Sequence, residues 1–246
     1  MIFKIININI LEFIEYLNYY YFIHTMFEKL YQFYDFYSYF VFTYFINVFL
    51  HYVIDISYYD VSSKYKINPL PKSELIHLYK KYLPVVIKNV IISPIPFGVI
   101  AVHLVNIDSL YTAEFHITEC IFELILTAII TEILFYTFHR IVHIPFFYKR
   151  FHKTHHSVKT PISVATLYVD QWDMLFSNSI PLVFPIFFIS STTITAKIWF
   201  IIVLTESILS HSGYKYFSEA HDKHHTRNNI NYGNNLFMDR LFRTYG

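Results

Sequence analysis

The apolar residues of this sequence are gathered into a few long runs separated by short polar segments. The runs 36–56, 85–105 and 119–138 are each close to the roughly 20 residues that a helix needs to cross the hydrocarbon of a bilayer. Pro94 and Pro96 predict a kink within the second run. The third run leads directly into a histidine-rich segment. The pattern therefore predicts helices that span a membrane.

The longest apolar stretch extends from Ile180 to Ser210 and is broken by Pro181, Pro185 and a polar Ser/Thr patch at 190–193. Its 31 residues are too few for two full crossings, which need about 40. We therefore predict a hairpin of two short or tilted helices that returns to the side from which it entered. Together the runs predict an all-α integral membrane protein with about four membrane-embedded helices and a cytosolic helical cap. Residues 1–35 are interpreted as an interfacial helix or a weak first span.

The charged residues between the apolar runs indicate an orientation. Segment 57–88 holds six Lys and two acidic residues, segment 106–119 holds three acidic residues and no Lys or Arg, and segment 139–161 holds five basic residues and no acidic one. Basic segments tend to stay on the cytosolic face of a membrane. We therefore expect 57–88 and 139–161 on the cytosolic face and 106–119 on the lumenal face. Residues 57–84 are predicted to form a loop outside the membrane with a short helix.

Composition narrows the class of protein. Hydrophobic residues make up 54% of the chain and charged residues 15%, whereas soluble domains have about 25% charged residues. A net charge of +1 gives no indication of nucleic-acid binding through bulk electrostatics. The single cysteine, Cys120, excludes a disulfide framework and a cysteine-based zinc site. We divide the 246 residues into N-terminal membrane helices with a cytosolic loop, 1–118, and a second unit, 119–246.

Nine of the 14 histidines lie in the second half of the chain, eight of them in three short boxes. Positions i, i+3 and i+4 of a helix share a face, so we expect each box to point two or three imidazoles in one direction. The other five histidines, His24, His51, His77, His103 and His116, are interpreted as surface or interfacial. The candidate ligands are His139, His143, His152, His155, His156, His211, His221, His224 and His225.

Neutral imidazole is a common ligand of first-row transition metals. Nine imidazoles are too many for one four-coordinate ion, but they suit two ions with four or five ligands each. The boxes therefore predict a dinuclear metal site, provided that the hairpin brings the third box beside the first two. Glu132 is the candidate catalytic residue, since it lies two helical turns before His139 and carboxylates in membrane helices are usually functional. It is predicted to accept the second N–H of a ligating imidazole; the alternative is an interhelical hydrogen bond unrelated to metal.

The boxes also form an ordered series with their neighbours. The series is Glu132…Tyr136-x-x-His139-Arg-x-x-His143, Tyr148-Lys-x-x-His152-Lys-x-His155-His156, His211-Ser-Gly-Tyr214 and His221-Asp-x-His224-His225…Asn231-Tyr-Gly…Asp239-Arg-Leu-Phe242-x-Thr244. Residues from about 119 to 246 thereby resemble the fatty acid hydroxylase/sterol desaturase superfamily of membrane di-iron oxidases. Segment 165–173 is closest to the cholesterol 25-hydroxylase-like branch, because Asp170 stands where many sterol desaturases and C4-methyl oxidases carry a histidine.

The resemblance implies a function. It implies two irons, O₂ as oxidant, electrons from cytochrome b5 and its NAD(P)H-dependent reductase, and hydroxylation of an unactivated C–H bond of a sterol or other lipid. It also implies a multi-pass protein of the endoplasmic reticulum membrane, with the active site facing the cytosol. The alternatives are a sterol desaturase or C4-methyl oxidase of the same superfamily, and a metal-transporting or metal-binding membrane protein without oxidase activity. Substrate-binding residues and the oligomeric state are left open.

Overall fold

The computed structural model describes residues 10–93, 95 and 108–246, and within these ranges the chain is almost entirely helical, with no β-strand. The predicted all-α class is confirmed. Four helices, α1, α5, α6 and α7, are long and apolar enough to cross a membrane. The helices are α1 (Ile10–Ser57), α2 (Tyr59–Ser62), α3 (Lys72–Ile87), α4 (Asp108–Thr112), α5 (Ile117–Val142), α6 (Gln171–Ile189), α7 (Thr193–His211), α8 (Lys215–Arg227) and α9 (Phe237–Leu241).

Helix α1 is longer than the predicted span. Its 48 residues correspond to about 72 Å at 1.5 Å per residue, more than twice the roughly 30 Å of a hydrocarbon core. Residues 10–35 and the predicted span 36–56 therefore form one continuous helix rather than two elements. One face of its C-terminal half, with Phe36, Phe40, Tyr44 and Val48 at helical spacing, is buried in the main apolar core.

Helix α3 begins inside the segment predicted to be a loop and ends in a π-helical turn, Lys88–Ile92. The short helix predicted within this segment is thus present, and it continues through Pro84 to Ile87, beyond the predicted end of the segment. Asn89 is buried, and its side-chain amide donates to the carbonyls of Leu167 and Val169 at 2.9 and 2.7 Å. The remainder of the predicted span 85–105, including the expected kink, lies outside the described residues apart from position 95.

The predicted hairpin is present as α6 and α7, although α6 starts earlier than expected, at Gln171. The chain reverses at 190–192, and the Thr192 hydroxyl caps α7 by accepting the Thr195 N–H. Glu123 of α5 accepts the N–H of Ser191 at 3.0 Å, so the tip of the hairpin lies beside the first half of α5. Pro181 does not break α6, because it lies in a π-helical stretch of that helix.

Short helical turns connect α5 to α6 and hold the second histidine box. They comprise Pro145–Phe147, a π-helical turn Tyr148–His152, and two 3-10 turns, His155–Ser157 and Ser163–Leu167. A further 3-10 turn, Ser63–Tyr65, follows α2. The main apolar core draws residues from both halves of the chain. The division into 1–118 and 119–246 stays a prediction, as does the sidedness of the helices in the membrane.

Candidate metal centre

The nine candidate histidines converge at one end of the helices. His139 lies in the last turn of α5 and His211 ends α7, while the third box lies on α8. The turns after α5 supply the second box. The doubling back of α6 and α7 is what brings α8 next to the end of α5. The three boxes therefore meet, as the predicted dinuclear site requires.

The imidazoles form two separate groups, and within each group the potential ligand atoms all lie within 4.8 Å of one another. Adjacent residues divide between the groups: in the second and third boxes the i and i+4 histidines share a group, and the i+3 histidine joins the other. Each box thus directs two imidazoles at one group, within the expected two or three, and the remaining ring of the second and third boxes belongs to the other group. The five-imidazole group is His139, His143, His152, His156 and His224, and the four-imidazole group is His155, His211, His221 and His225.

The spacing of the ring nitrogens fits a metal centre. Imidazole nitrogens bound at about 2.0–2.1 Å to one ion lie about 2.9–3.4 Å apart in octahedral or tetrahedral geometry. Among the described residues, the buried Nε2 atoms of His143 and His224 have no hydrogen-bond partner, and a bound cation would supply one. The Nε2–Nε2 separations are 3.2 Å for His139–His152, 3.1 Å for His152–His156, 3.2 Å for His155–His211, 2.8 Å for His211–His221 and 3.0 Å for His221–His225.

The opposite nitrogens of several rings are fixed by backbone carbonyls. The loop after α8 accepts hydrogen bonds from three members of the five-imidazole group, at every second residue. Asn228 accepts from His143, Ile230 accepts from His224 Nδ1 at 2.7 Å, and Tyr232 accepts from His139 Nδ1 at 2.7 Å. Such bonds place the proton on Nδ1 of His139 and His224 and leave Nε2 free to coordinate. The left-handed backbone of Asn228 and Asn231 shapes this loop.

Asp173 is a site residue that the sequence reasoning did not single out. Its carboxylate, fully buried at the start of α6, accepts the Nδ1–H of His152 at 2.8 Å. A carboxylate in this position orients a ligating imidazole and raises its basicity. Asp173 is the last residue of segment 165–173, but nothing in its spacing from His152 predicts the hydrogen bond between the two side chains. Asp173 thus takes the role that the sequence predicts for Glu132.

We expect Asp173→Ala to weaken metal binding by about 10- to 100-fold, because the His152 ring loses the group that orients it. Iron affinity of the purified full-length protein, measured by competition with a chelator, tests this. Asp170→Asn is the matched control, since Asp170 caps α6 through the Trp172 N–H. Unchanged affinity in Asp173→Ala would show that the His152 contact does not support a metal.

Glu132 has a different environment from the predicted one. Its carboxylate accepts the backbone N–H groups of Asn235 and Met238, at 2.8 and 3.1 Å, and is 3% exposed. The Nδ1–H of His139, the ring on the same helix face, goes to Tyr232 instead. The predicted hydrogen bond from an imidazole to Glu132 is therefore replaced by contacts that anchor the loop after α8. A direct catalytic role for Glu132 stays a prediction.

Asp239 anchors the same loop from its other end. The buried carboxylate accepts the N–H groups of Tyr232 and Gly233, at 2.8 and 2.6 Å, and the hydroxyl of Thr244 at 2.6 Å. Two carboxylates thus fix the backbone that orients the five-imidazole group. Asp239 was part of the recognised motif, but its function as a loop anchor emerges only from the fold.

Burial sets the protonation of the rings outside the membrane-spanning helices. Desolvation, followed by the neighbouring imidazoles, holds the pKa of His155 and His224 well below the usual value. Burial and then His152 lower the pKa of His143 to about 3. Neutral imidazole is the form that coordinates metals. His143, His155 and His224 are therefore in the binding form throughout the neutral range.

These pKa values predict acid sensitivity. Between the ordinary pKa near 6.5 and about 3, an unfolded chain would carry a proton on His143 that the folded chain does not carry. Stability of the metal-free protein is consequently lost as the pH falls below about 6.5, by on the order of 2 kcal/mol at pH 5 from this ring alone. Thermal unfolding in detergent between pH 8 and 4 measures the effect. A Tm that stays constant down to pH 4 would contradict it.

A cavity of about 70 Å³ reaches both groups. His139 and His152 of one group line it, together with His211 of the other, and it continues between α5 and α6 along Phe135 and Leu182. A small molecule in this cavity would lie beside both imidazole groups and near the side chains of Phe135 and Leu182. Of the histidines interpreted as surface residues, His24, His77 and His116 are exposed, whereas His51 is buried and bonded to the Asn47 carbonyl. His103 lies outside the described residues.

Comparison with known proteins identifies this region. Residues 124–244 match the family model described as fatty acid hydroxylase. A stretch of 126 residues is 36% identical to human fatty acid hydroxylase domain-containing protein 2, covering 50% of this chain and 38% of that protein. No solved structure matches the chain.

Two further relatives extend the comparison. Fatty acid hydroxylase ahd1 of Mycosarcoma maydis is 28% identical over 189 residues, 74% of this chain and 49% of that protein. Methylsterol monooxygenase 2-2 of Arabidopsis thaliana is 28% identical over 132 residues, 47% of this chain and 49% of that protein. The chain thus spans less than half the length of these relatives. The superfamily resemblance inferred from the motifs is confirmed.

Proposed function

Through residues 124–244 this chain belongs to the fatty acid hydroxylase superfamily, and we propose that it is a membrane di-iron oxygenase. The reaction is hydroxylation of an unactivated C–H bond in a sterol or other lipid, with O₂ as oxidant. The observation that carries the proposal is the pair of imidazole groups, five and four rings, whose nitrogens face common centres. When bound, two irons would supply the redox chemistry that activates O₂.

The residues of the chain perform the remaining tasks. The nine imidazoles would hold the metals. The carbonyls of the 228–232 loop and the Asp173 carboxylate orient rings of the five-imidazole group. The cavity beside both groups is lined by polar side chains together with apolar ones such as Phe135 of α5 and Leu182 of α6, and these apolar side chains suit contact with a hydrocarbon substrate. A lipid substrate dissolved in the bilayer would approach from these helices.

The exposed basic residues beside the second histidine box bear on the electron donor and on the side of the membrane that the site faces. Lys149, Arg150 and Lys153 are exposed on the turns that carry the second box. A cationic surface beside the centre favours an acidic electron carrier of the cytochrome b5 type, because opposite charges accelerate association. The same basic segment supports a cytosolic active site in the endoplasmic reticulum membrane, by the positive-inside rule.

Among the alternatives, metal transport is disfavoured by the geometry. A transport path needs ligands in series, whereas these rings surround two positions, and His139, His211 and His224 are fixed by hydrogen bonds from Nδ1 to backbone carbonyls. A desaturase or C4-methyl oxidase begins with the same hydrogen abstraction and shares the site. We favour the hydroxylase, because Asp170 in segment 165–173 stands where many sterol desaturases and C4-methyl oxidases carry a histidine.

Metal content and isotope labelling test the proposal. Purified full-length protein is expected to hold about two irons per chain, and membranes supplied with ¹⁸O₂ and an NAD(P)H-driven reductase are expected to place one ¹⁸O atom in a lipid product. A desaturase would give a product without ¹⁸O. Absence of bound iron, with no change in cellular lipids when the protein is removed, would refute an oxidase.

A further inference from the structure

A buried ion pair lies in the part of the chain that the family match does not cover. The Lys66 ammonium is 2.7 Å from the Asp55 carboxylate, and their side chains are 9% and 0% exposed. Asp55, near the end of α1, also accepts the hydroxyls of Tyr79 and Tyr214 at 3.0 and 2.7 Å. Burial of two charges is expensive unless their geometry is well satisfied. The hydroxyls of Tyr79 and Tyr214 supply part of that geometry, and further contacts of the pair lie on the turn after α7.

The ion pair and its neighbour Ile67 contact each residue of the turn 212–214 between α7 and α8. Lys66 donates to the carbonyl of Ser212 at 2.6 Å, and its ammonium lies 3.8 Å from the ring centre of Tyr214. The N–H of Ile67 donates to the carbonyl of Gly213 at 2.8 Å. The Tyr214 hydroxyl binds Asp55. Every residue of this turn is thus held by the segment between α1 and α3.

That turn sets the distance between two ligands of the four-imidazole group. His211 immediately precedes it and His221 follows on α8, and their Nε2 atoms are 2.8 Å apart. Gly213 has a positive φ of 80°, and a Cβ there would lie 2.8 Å from the Pro161 carbonyl oxygen, so the turn has little freedom to adjust. A cation at the Ser212 carbonyl also suits the C-terminal end of α7.

The five-imidazole group is held differently. Four of its rings come from α5 and the turns that follow, and only His224 lies on α8. Its supports are the 228–232 loop and Asp173, none of which touches Lys66 in the described contacts. Movement of the turn after α7 therefore affects the two groups unequally.

We propose that Asp55 and Lys66 are positioning residues for the four-imidazole group, acting through the turn 212–214. The inference rests on the proposed function, because it presupposes that this group binds a metal. It extends the functional unit beyond residues 124–244 to the loop after α1. His51 belongs to the same surroundings, with its ring centre 6.5 Å from that of Tyr214.

The test compares two neutralised ion pairs in the full-length protein. Asp55→Asn/Lys66→Met removes both buried charges while keeping side-chain size. Asp35→Asn/Lys197→Met is the matched control, since this pair likewise includes an aspartate of α1 and links it to Lys197 of α7 at 2.9 Å, but its side chains are 27% and 28% exposed. Each protein is loaded with iron(II) in detergent, isolated as a monodisperse peak and analysed for iron. We expect about one iron per chain in the first variant and about two in the control.

Combined substitutions locate the remaining ion. In the Asp55→Asn/Lys66→Met background, adding His143→Ala is expected to abolish the remaining iron, whereas adding His221→Ala is expected to leave it. Two irons in the monodisperse variant, or equal loss from both groups, would overturn the inference. Wild-type protein without iron would instead refute the proposed function.

A milder substitution covers the case in which the double variant fails to fold. Tyr214→Phe removes only the hydroxyl that contacts Asp55 and keeps the ring beneath Lys66. We expect the affinity for one of two irons to fall by several-fold while the other is unchanged. If Tyr214→Phe binds each of the two irons with the same affinity as wild type does, a positioning role is contradicted.

Discussion

Substitution of one histidine in each group, His155→Ala or His224→Ala, is expected to abolish product formation in membranes. The two residues belong to different groups, so each variant leaves the other group with its full set of rings. Loss of a contact that only orients a ligand lowers activity by about 10- to 100-fold, and loss of the ligand itself is expected to exceed the upper figure. Both ions are required for the proposed reaction, so the two variants should be equally inactive.

Product analysis in membranes with matched protein levels measures this effect, and iron content supports it. His77→Ala is the control, because His77 is exposed on α3, away from both groups. Each active-site variant is expected to retain about one iron. Turnover near the wild-type rate in either variant would exclude a dinuclear mechanism, whereas inactivity of His77→Ala would show that the assay reports folding.

The second large effect is expected for Gly233→Ala. A Cβ at this position would lie 2.4 Å from Glu132 Oε1 and 2.9 Å from Asp239 Oδ2. Both carboxylates must move, which disturbs their hydrogen bonds to the backbone of the loop that orients His139 and His224. Overpacking and lost hydrogen bonds together amount to about 3 kcal/mol. A Tm decrease of about 6–12 °C is expected for a chain of this size.

The same substitution elsewhere provides the control. At Gly246 the nearest neighbour of an added Cβ is the end of the Ile230 side chain, at 3.0 Å, which can rotate away. Gly246→Ala should therefore shift the Tm by much less. Thermal unfolding of both variants, with iron content measured beforehand, separates the cases. A Tm of Gly233→Ala within about 2 °C of wild type would show that the carboxylates do not constrain this loop, given the roughly 2–4 °C per kcal/mol of chains this long.

The sequence was sufficient to predict which nine histidines converge, because clusters of imidazoles at helical spacing are typical of metal sites. Their role as metal ligands stays a prediction. Apolar run lengths predicted α5, and the length of the 180–210 stretch predicted the hairpin, since two crossings need more residues. The sequence did not predict how the nine histidines divide between the two groups. Which of two adjacent histidines turns towards which centre depends on the turn His155–Ser157 and on the angle at which α8 approaches.

The supporting residues were harder to identify. Asp173 and Asp239 are ordinary acidic residues in the sequence, and their partners lie on other elements. Glu132 was recognised as unusual because it lies in an apolar helix, but its position on the face of His139 predicted the wrong partner. Long-range contacts of this kind depend on how helices pack. Periodicity within one helix does not contain that information.

The pairing of neighbouring histidines with different groups has a consequence for biogenesis. His155 and His156 divide between the centres, and so do His224 and His225, so neither centre is complete before α8 has folded back. A nascent chain whose third box is still inside the ribosome would offer four of the rings of one centre and two of the other. Under the proposed function, iron insertion consequently follows membrane integration of α7 and the emergence of α8 from the ribosome.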